Sequence, residues 1–156
     1  MPAITPFLWF DSQAEEAAEF YVSLFPNSKI IQRVRRTDVT PPNASDLLTV
    51  AFELDGKRFT ALNGGPQFTF SEALSFVIHC KDQSQIDFYW SALCVQGDGQ
   101  CGWAKDKFGL SWQIVPEELP MLLKGPRARY VLAAIMPVKS SLLKFFARLR
   151  DEHYSL

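Results

Sequence analysis

The sequence predicts an α+β domain made of two successive β-α-β-β-β modules. Three observations lead there. Each half of the chain opens on an apolar strand followed by an amphipathic helix, each helix is followed by a hairpin signal, and the order then recurs. The patterns Phe20-Tyr21-x-Ser23 and Phe88-Tyr89-x-Ser91 fall at matching places on the two helices and support a duplication.

Residues 4–10 form a continuous apolar and aromatic run, which suits a strand buried on both faces. Ser12-x-x-Glu15 matches a capping box. Behind it Ala14, Ala17, Ala18, Tyr21 and Leu24 recur on one helix face, and Pro26 with Asn27 stops the helix. Residues 29–36 alternate Ile and Val with charged side chains, as a half-exposed strand does. Residues 37–46 hold Pro41, Pro42, Asn43 and Ser45 and read as a loop. Strands at 47–54 and 57–62 flank Asp55-Gly56, a dipeptide suited to a type I′ turn because both central residues need positive φ. Asn63-Gly64-Gly65-Pro66 breaks the pattern and begins a connector that runs through Glu72.

The second module repeats the order. Residues 74–80 are an apolar strand, and Ser84-x-x-Asp87 caps a helix with Ile86, Tyr89, Trp90 and Leu93 at helical spacing. Residues 96–100 are a Gly-rich link or a short strand. A hairpin over 101–105 and 110–115 turns at Asp106-Lys107-Phe108-Gly109. Beyond Pro116 the chain reads as helical at 117–123, 128–136 and 142–150. The last helix carries Leu142, Leu143, Phe146 and Leu149 on one face, which must cover the domain or a partner subunit. The modules thus span 1–66 and 72–116 within one domain, with a C-terminal helical segment at 117–156.

Composition narrows the function classes. Hydrophobic residues make up 47% of the chain, with 13 Phe and 4 Trp, enough to build a core without disulfides or a structural metal. Lys and Arg number 16 against 17 Asp and Glu, so neither nucleic acid nor an anionic membrane is an expected partner. Arg33, Arg35 and Arg36 read as a solvated strand face. Cys80, Cys94 and Cys101 are odd in number and lack C-x-x-C spacing, which argues against a disulfide framework or zinc knuckle and suits a reducing compartment. No basic, then apolar, leader opens the sequence and no apolar run has membrane length, so the expected address is the cytoplasm.

Motifs for covalent chemistry are sparse. Gly64-Gly65 precedes Pro66 rather than a helix, unlike a nucleotide or methyl-donor turn. The histidines are His79, near a strand end, and His153, in a polar tail. Cys80 neighbours His79, but adjacent strand residues point to opposite faces, which works against a Cys-His pair. The aromatics on strands, Trp9, Trp103 and Trp112, are suited both to a core and to a small-molecule pocket. Asn63 and Gln113, at or near strand ends, are the polar residues either to contact a ligand or to satisfy backbone groups.

Several segments resemble a known family: residues 4–10, Ala14-Glu15-Glu16-Ala17, Phe20-Tyr21-x-x-Leu24-Phe25-Pro26, residues 61–66, and the long block over 101–116. They are similar to the PhnB-like family, labelled 3-demethylubiquinone-9 3-methyltransferase domain, of the vicinal-oxygen-chelate (glyoxalase/bleomycin-resistance) superfamily. That resemblance implies curved mixed sheets around a pocket, usually within a homodimer. It implies a metal ligand four residues beyond Gly109, at Gln113, with others near Ile4 or Thr5 and near Ser75 or Phe76. None of these positions supplies an imidazole or a carboxylate. The expectation is therefore a metal-free small-molecule binding domain without cofactor, its ligand lined by Trp9, Phe52, Asn63, Trp103 and Gln113. The alternatives are a metal-dependent lyase, isomerase or dioxygenase that uses Gln113, and a dimer-forming scaffold. The methyltransferase label gains no support from the residues.

Overall fold

A computed structural model describes residues 3–36, 47–95, 102–126 and 128–135. Its elements run β1 (Phe7–Phe10), α1 (Ala14–Leu24), β2 (Lys29–Arg35), β3 (Leu47–Leu54), β4 (Lys57–Asn63), β5 (Ser75–Cys80), α2 (Gln83–Leu93), β6 (Trp103–Lys105), β7 (Ser111–Pro116), α3 (Leu119–Leu122) and α4 (Ala128–Ile135). The chain divides into two units, Met1–Phe70 and Ser71–Leu156. The expected loop at 37–46, the link at 96–100, Cys101, His153 and the helix at 142–150 lie outside the described residues. Among the described residues no helix is long and apolar enough to cross a membrane.

In the first unit the sheet order is β1-β4-β3-β2, with β1 parallel to β4 and the other pairs antiparallel. The β3–β4 hairpin turns at Asp55 (φ 47°) and Gly56 (φ 73°), the two left-handed positions that the dipeptide predicts. The alanine spacing of α1 buries Ala14, Ala17, Ala18 and Tyr21 against β2, β3 and β4. Three methyl side chains let the helix approach closely, and Tyr21 fills the space beyond them. Phe52 lies between Tyr21 (ring centroids 6.4 Å apart) and Phe59 (5.5 Å). Burying such a ring is worth roughly 1.5–3 kcal/mol, so this aromatic stack is a main source of the unit's stability.

Two expectations at the start of this unit need correction. The first strand is Phe7–Phe10, not 4–10, and Ile4 is 99% exposed. The capping box at Ser12 and Glu15 does not form: the N-cap is Gln13, with no side-chain cap bond. The orphan amide of Ala14 is instead met by the Asn63 side chain at 2.8 Å. An amide delivered from β4 meets the donor that a local serine leaves open.

In the second unit β5 runs parallel to β7, and β6 is antiparallel to β7, giving the order β5-β7-β6. α2 buries Ile86 and Leu93 and packs on all three strands. Its cap is Asp82, two residues before the expected Ser84: the Asp82 carboxylate accepts from the Gln85 amide at 2.9 Å and from the Ser84 hydroxyl at 2.7 Å. These bonds, the hydroxyl's first, hold the Asp82 carboxyl below its ordinary range. The β6–β7 turn is gathered by Asp106, which is 5% exposed. Its carboxyl accepts from the Phe108 amide (2.9 Å), the Leu110 amide (3.0 Å) and the Trp112 indole (2.8 Å). Past β7 the chain forms the short α3 and then α4, where Val131 is buried while Tyr130 and Leu132 are exposed.

Candidate functional site

In a strand, alternate residues share a face, and register partners on neighbouring strands share it too. These two rules sort the candidate residues. In the first unit, Leu8, Phe10, Val50, Phe52, Ala61 and Asn63 are buried on the face that α1 covers. Trp9 lies on the opposite face, helix-free among the described residues, in register with Leu62, which pairs with Thr49. Trp9 and Phe52 are therefore on opposite faces of one sheet.

Asn63 is 4% exposed and engaged at both ends of its amide. Oδ1 accepts from the Ala14 N–H, and Nδ2 donates to the Leu47 carbonyl at 3.0 Å. It caps α1 and ties the end of β4 to the start of β3. Of the two roles open to it in the sequence, the backbone-satisfying one is what its bonds describe. Phe52, fully buried in the aromatic stack, is packing material of the same layer.

Trp9 is only partly buried. Its indole N–H donates to the Gly65 carbonyl at 2.8 Å, and its ring meets Phe68 edge-on at 5.0 Å. Gly64 is required here, because a Cβ at that position would lie inside the van der Waals envelope of the Trp9 ring. The segment Asn63, Gly64 and Gly65 thus serves as a bed for the indole. Arg36 joins it from the end of β2, with Nη2 donating to the Asn63 carbonyl at 2.6 Å.

In the second unit, Ile78, Cys80, Ala104, Trp112 and Ile114 are buried on the α2 side. The face opposite α2, helix-free among the described residues, carries the register row Val77, Gln113 and Trp103, flanked by Ser75, Ser111 and Lys105 on one side and by His79 with Val115 on the other. Val77 is exposed, and Gln113 and Trp103 are partly so. The Gln113 amide donates to Ser75 Oγ at 2.9 Å, which fixes its orientation. Ser111 Oγ is buried and makes no hydrogen bond among the described residues. Lys105 Nζ pairs with Glu72, and that bond holds the Glu72 carboxyl below its usual range.

His79 and Cys80 face opposite ways, as strand alternation predicts. His79 is exposed, while Cys80 is 1% exposed. Burial first, and then the Asp82 charge, pushes the Cys80 thiol up to about 11, so its nucleophilic form is scarce at neutral pH.

Asp106 and Arg36 carry roles here that sequence patterns do not assign them. Asp106 had a signal: an aspartate two residues before Phe108, four before Leu110 and six before Trp112 can bond all three. Arg36 has none, since in the sequence it is indistinguishable from its neighbours Arg33 and Arg35. Arg33 is held by Glu15 (2.5 Å) and Glu19 (2.7 Å) on α1, bonds that raise its already high pKa. Among the described residues, Arg36 has no such carboxylate.

The profile of the family described as 3-demethylubiquinone-9 3-methyltransferase matches residues 2–115. Among solved structures the chain is similar to the PhnB protein from Bacillus cereus, at 30% identity over 73% of this chain and 99% of that one, with a TM-score of 0.64. It is also similar in fold to protein PA1353 from Pseudomonas aeruginosa, at 16% identity over 74% and 98% of the two chains, with a TM-score of 0.58. No curated protein matches.

Proposed function

The chain belongs to the 3-demethylubiquinone-9 3-methyltransferase family, the PhnB-like proteins, and on that premise we propose that it is a metal-free small-molecule binding protein. The observation that carries this reading is the helix-free face of the second sheet. There an oriented amide, Gln113, stands in one row with the apolar Val77 and Trp103. An amide fixed amid apolar surface gives a ligand orientation while the apolar neighbours give affinity. Trp9, on the helix-free face of the first sheet, offers a second propped aromatic surface.

Neither enzymatic reading draws support from the donor groups. A methyl-donor site of the Gly-rich type needs glycines at a strand-to-helix turn, and the described turns at 11–13 and 81–82 contain none. A divalent cation of the vicinal-oxygen-chelate kind prefers charged oxygen or imidazole donors. Gln113 presents a neutral amide already donating to Ser75, and its flanking rows offer serine hydroxyls, a lysine and the one imidazole of His79, with no carboxylate beside it. Among the described residues no three His, Cys, Asp or Glu side chains gather as metal ligands. The residues at these positions do not fit a metal.

Self-association belongs to the same proposal. Met121, Tyr130 and Leu132 on α3 and α4 are exposed, and the apolar stripe of the 142–150 segment follows them in sequence. Truncation after Met136 should give monomers by light scattering, where the full chain gives dimers.

The binding proposal is tested by a thermal-shift screen of neutral, amide-bearing aromatic fragments against the full chain. Fragments that raise the midpoint should lose roughly tenfold in affinity with Gln113→Ala, the scale of one lost hydrogen bond to a partly buried amide. Binding that is indifferent to both Gln113→Ala and Trp103→Ala would contradict the assignment of this face.

A further inference from the structure

Arg36 is the one described arginine whose charge the fold leaves open at a place built of aromatic and glycine residues. A guanidinium has five N–H donors and no acceptor. At Arg36 Nη2 donates to the Asn63 carbonyl at 2.6 Å, whereas Nε is buried and meets no acceptor among the described residues. A buried donor without a partner costs free energy, more so on a charged group, so the arrangement is incomplete as it stands. The contrast with Arg33 is direct. That side chain, on β2 three residues earlier, is held by two glutamates.

The neighbourhood says what would complete it. Arg36 bonds the Asn63 carbonyl, and the Trp9 indole bonds the Gly65 carbonyl. Two residues of extended chain span at most roughly 7 Å, so the two carbonyls, and the side chains they hold, are close together. Gly64, between them, lies flat against the Trp9 ring, and Phe68 closes the ring's edge. A guanidinium fork with a free Nε edge recognises the planar oxygens of a carboxylate or phosphate, and an indole offers its face or edge to an apolar body.

We infer that Arg36 and Trp9, held side by side on the Asn63-Gly64-Gly65 segment, form a subsite for the anionic group of an aromatic or apolar small molecule. This inference rests on the small-molecule binding reading and names the charge class of a ligand that this surface of the first unit would take. It also reassigns Arg36, which in the sequence reads as part of a solvated strand face.

The test uses the full chain, ¹⁵N-labelled, with NMR tuned to arginine Nε–H signals. The Arg36 signal is assigned by its loss in Arg36→Gln. Benzoate, its neutral counterpart benzamide, and inorganic phosphate are titrated at constant ionic strength. The expected result is a saturable shift of the Arg36 Nε–H with benzoate and none with benzamide. Benzoate should bind roughly tenfold or more weakly to Arg36→Gln, the loss expected for a charge-assisted pair. Trp9→Phe should weaken benzoate more than it weakens phosphate, since only benzoate has a ring to place.

The inference is overturned if neither benzoate nor phosphate moves the Arg36 signal, or if Arg36→Gln binds benzoate as the parent does. Should Arg36→Gln not fold, Arg36→Lys keeps the charge but loses the fork and must still weaken benzoate. Neutral fragments that perturb Gln113 and Trp103, together with benzoate and phosphate that leave the Arg36 signal still, would leave the binding proposal standing and remove this one. A benzoate shift at Arg36 that persists in Gln113→Ala, with no neutral fragment bound anywhere, would do the reverse.

Discussion

The two units build the same succession of a strand, a helix and a closing hairpin, and they fasten it in opposite ways. In the first, the start of α1 is held from afar by Asn63, 49 residues away in sequence, while the β3–β4 turn rests on backbone conformation at Asp55 and Gly56. In the second, the start of α2 is held by Asp82, only three residues from the amide it receives, while the β6–β7 turn is gathered by the buried Asp106. Register explains the exchange. Asn63 pairs with the last residue of β1, and its equivalent, which pairs with the last residue of β5, is Pro116. A proline ring has no hydrogen-bonding group to offer a helix terminus. The second unit must cap its helix locally, and the first is free to use a tertiary amide. Repetition of elements therefore does not imply repetition of the bonds that hold them.

This contrast can be broken by substitution, with unfolding followed in urea. Asp106→Ala should have the largest effect, about 3 kcal/mol, because two main-chain amides and the Trp112 indole lose their acceptor together. Asn63→Ala should follow at about 2 kcal/mol, since it strands the Ala14 amide and the Leu47 carbonyl, both in buried bonds. Asp82→Ala, at an exposed local cap, should cost about 1 kcal/mol. If Asn63→Ala costs no more than Asp82→Ala, the distinction between distant and local fastening fails. Gly56→Ala should cost about 1 kcal/mol through left-handed strain at φ 73°, because a Cβ there would meet only ordinary contact distances.

The smallest effect sharpens the contrast between the two strand ends. Phe10 and Cys80 occupy equivalent places, but only Cys80 titrates. Its folded thiol is raised from 9.0 to about 11, so below pH 9 both folded and unfolded chains keep the proton and stability is unaffected. As pH climbs from 9 towards 11 the unfolded chain releases its proton first, and stability falls. Near pH 9.5 the loss should stay below about 1 kcal/mol and vanish in Cys80→Ala. Peptide mapping after iodoacetamide at neutral pH should find the folded protein's Cys80 unmodified. Modification of Cys80 as fast as in the unfolded chain would contradict the burial argument.

Much of the fold was legible because its signals are local. Apolar runs marked β1 and β5, alternation marked β2, alanine spacing marked α1, and Asp55-Gly56 marked its turn. What failed to read were the decisions made between distant residues. Ser12 and Glu15 look like a cap until Asn63 arrives. Parity along one strand says that Trp9 and Phe10 diverge. It does not say which of them shares a face with Phe52, because that depends on register through β4 and β3. Grouping Trp9, Phe52 and Asn63 around one ligand needed a relation that sequence spacing does not contain. Likewise Arg33 and Arg36 differ only in what α1 places opposite them. Trp103 and Gln113 fare better, since a short hairpin fixes their register and puts them on one face.

The most direct measurement is an amide-resolved NMR titration of the full chain with an aromatic, amide-bearing fragment, run in excess EDTA and again with added manganese and zinc. The expected result is a saturable set of shifts centred on Val77, Trp103 and Gln113 that is the same in all three conditions. Shifts that vanish in EDTA and return with metal, or that map away from this row, would contradict metal-free binding on the helix-free face.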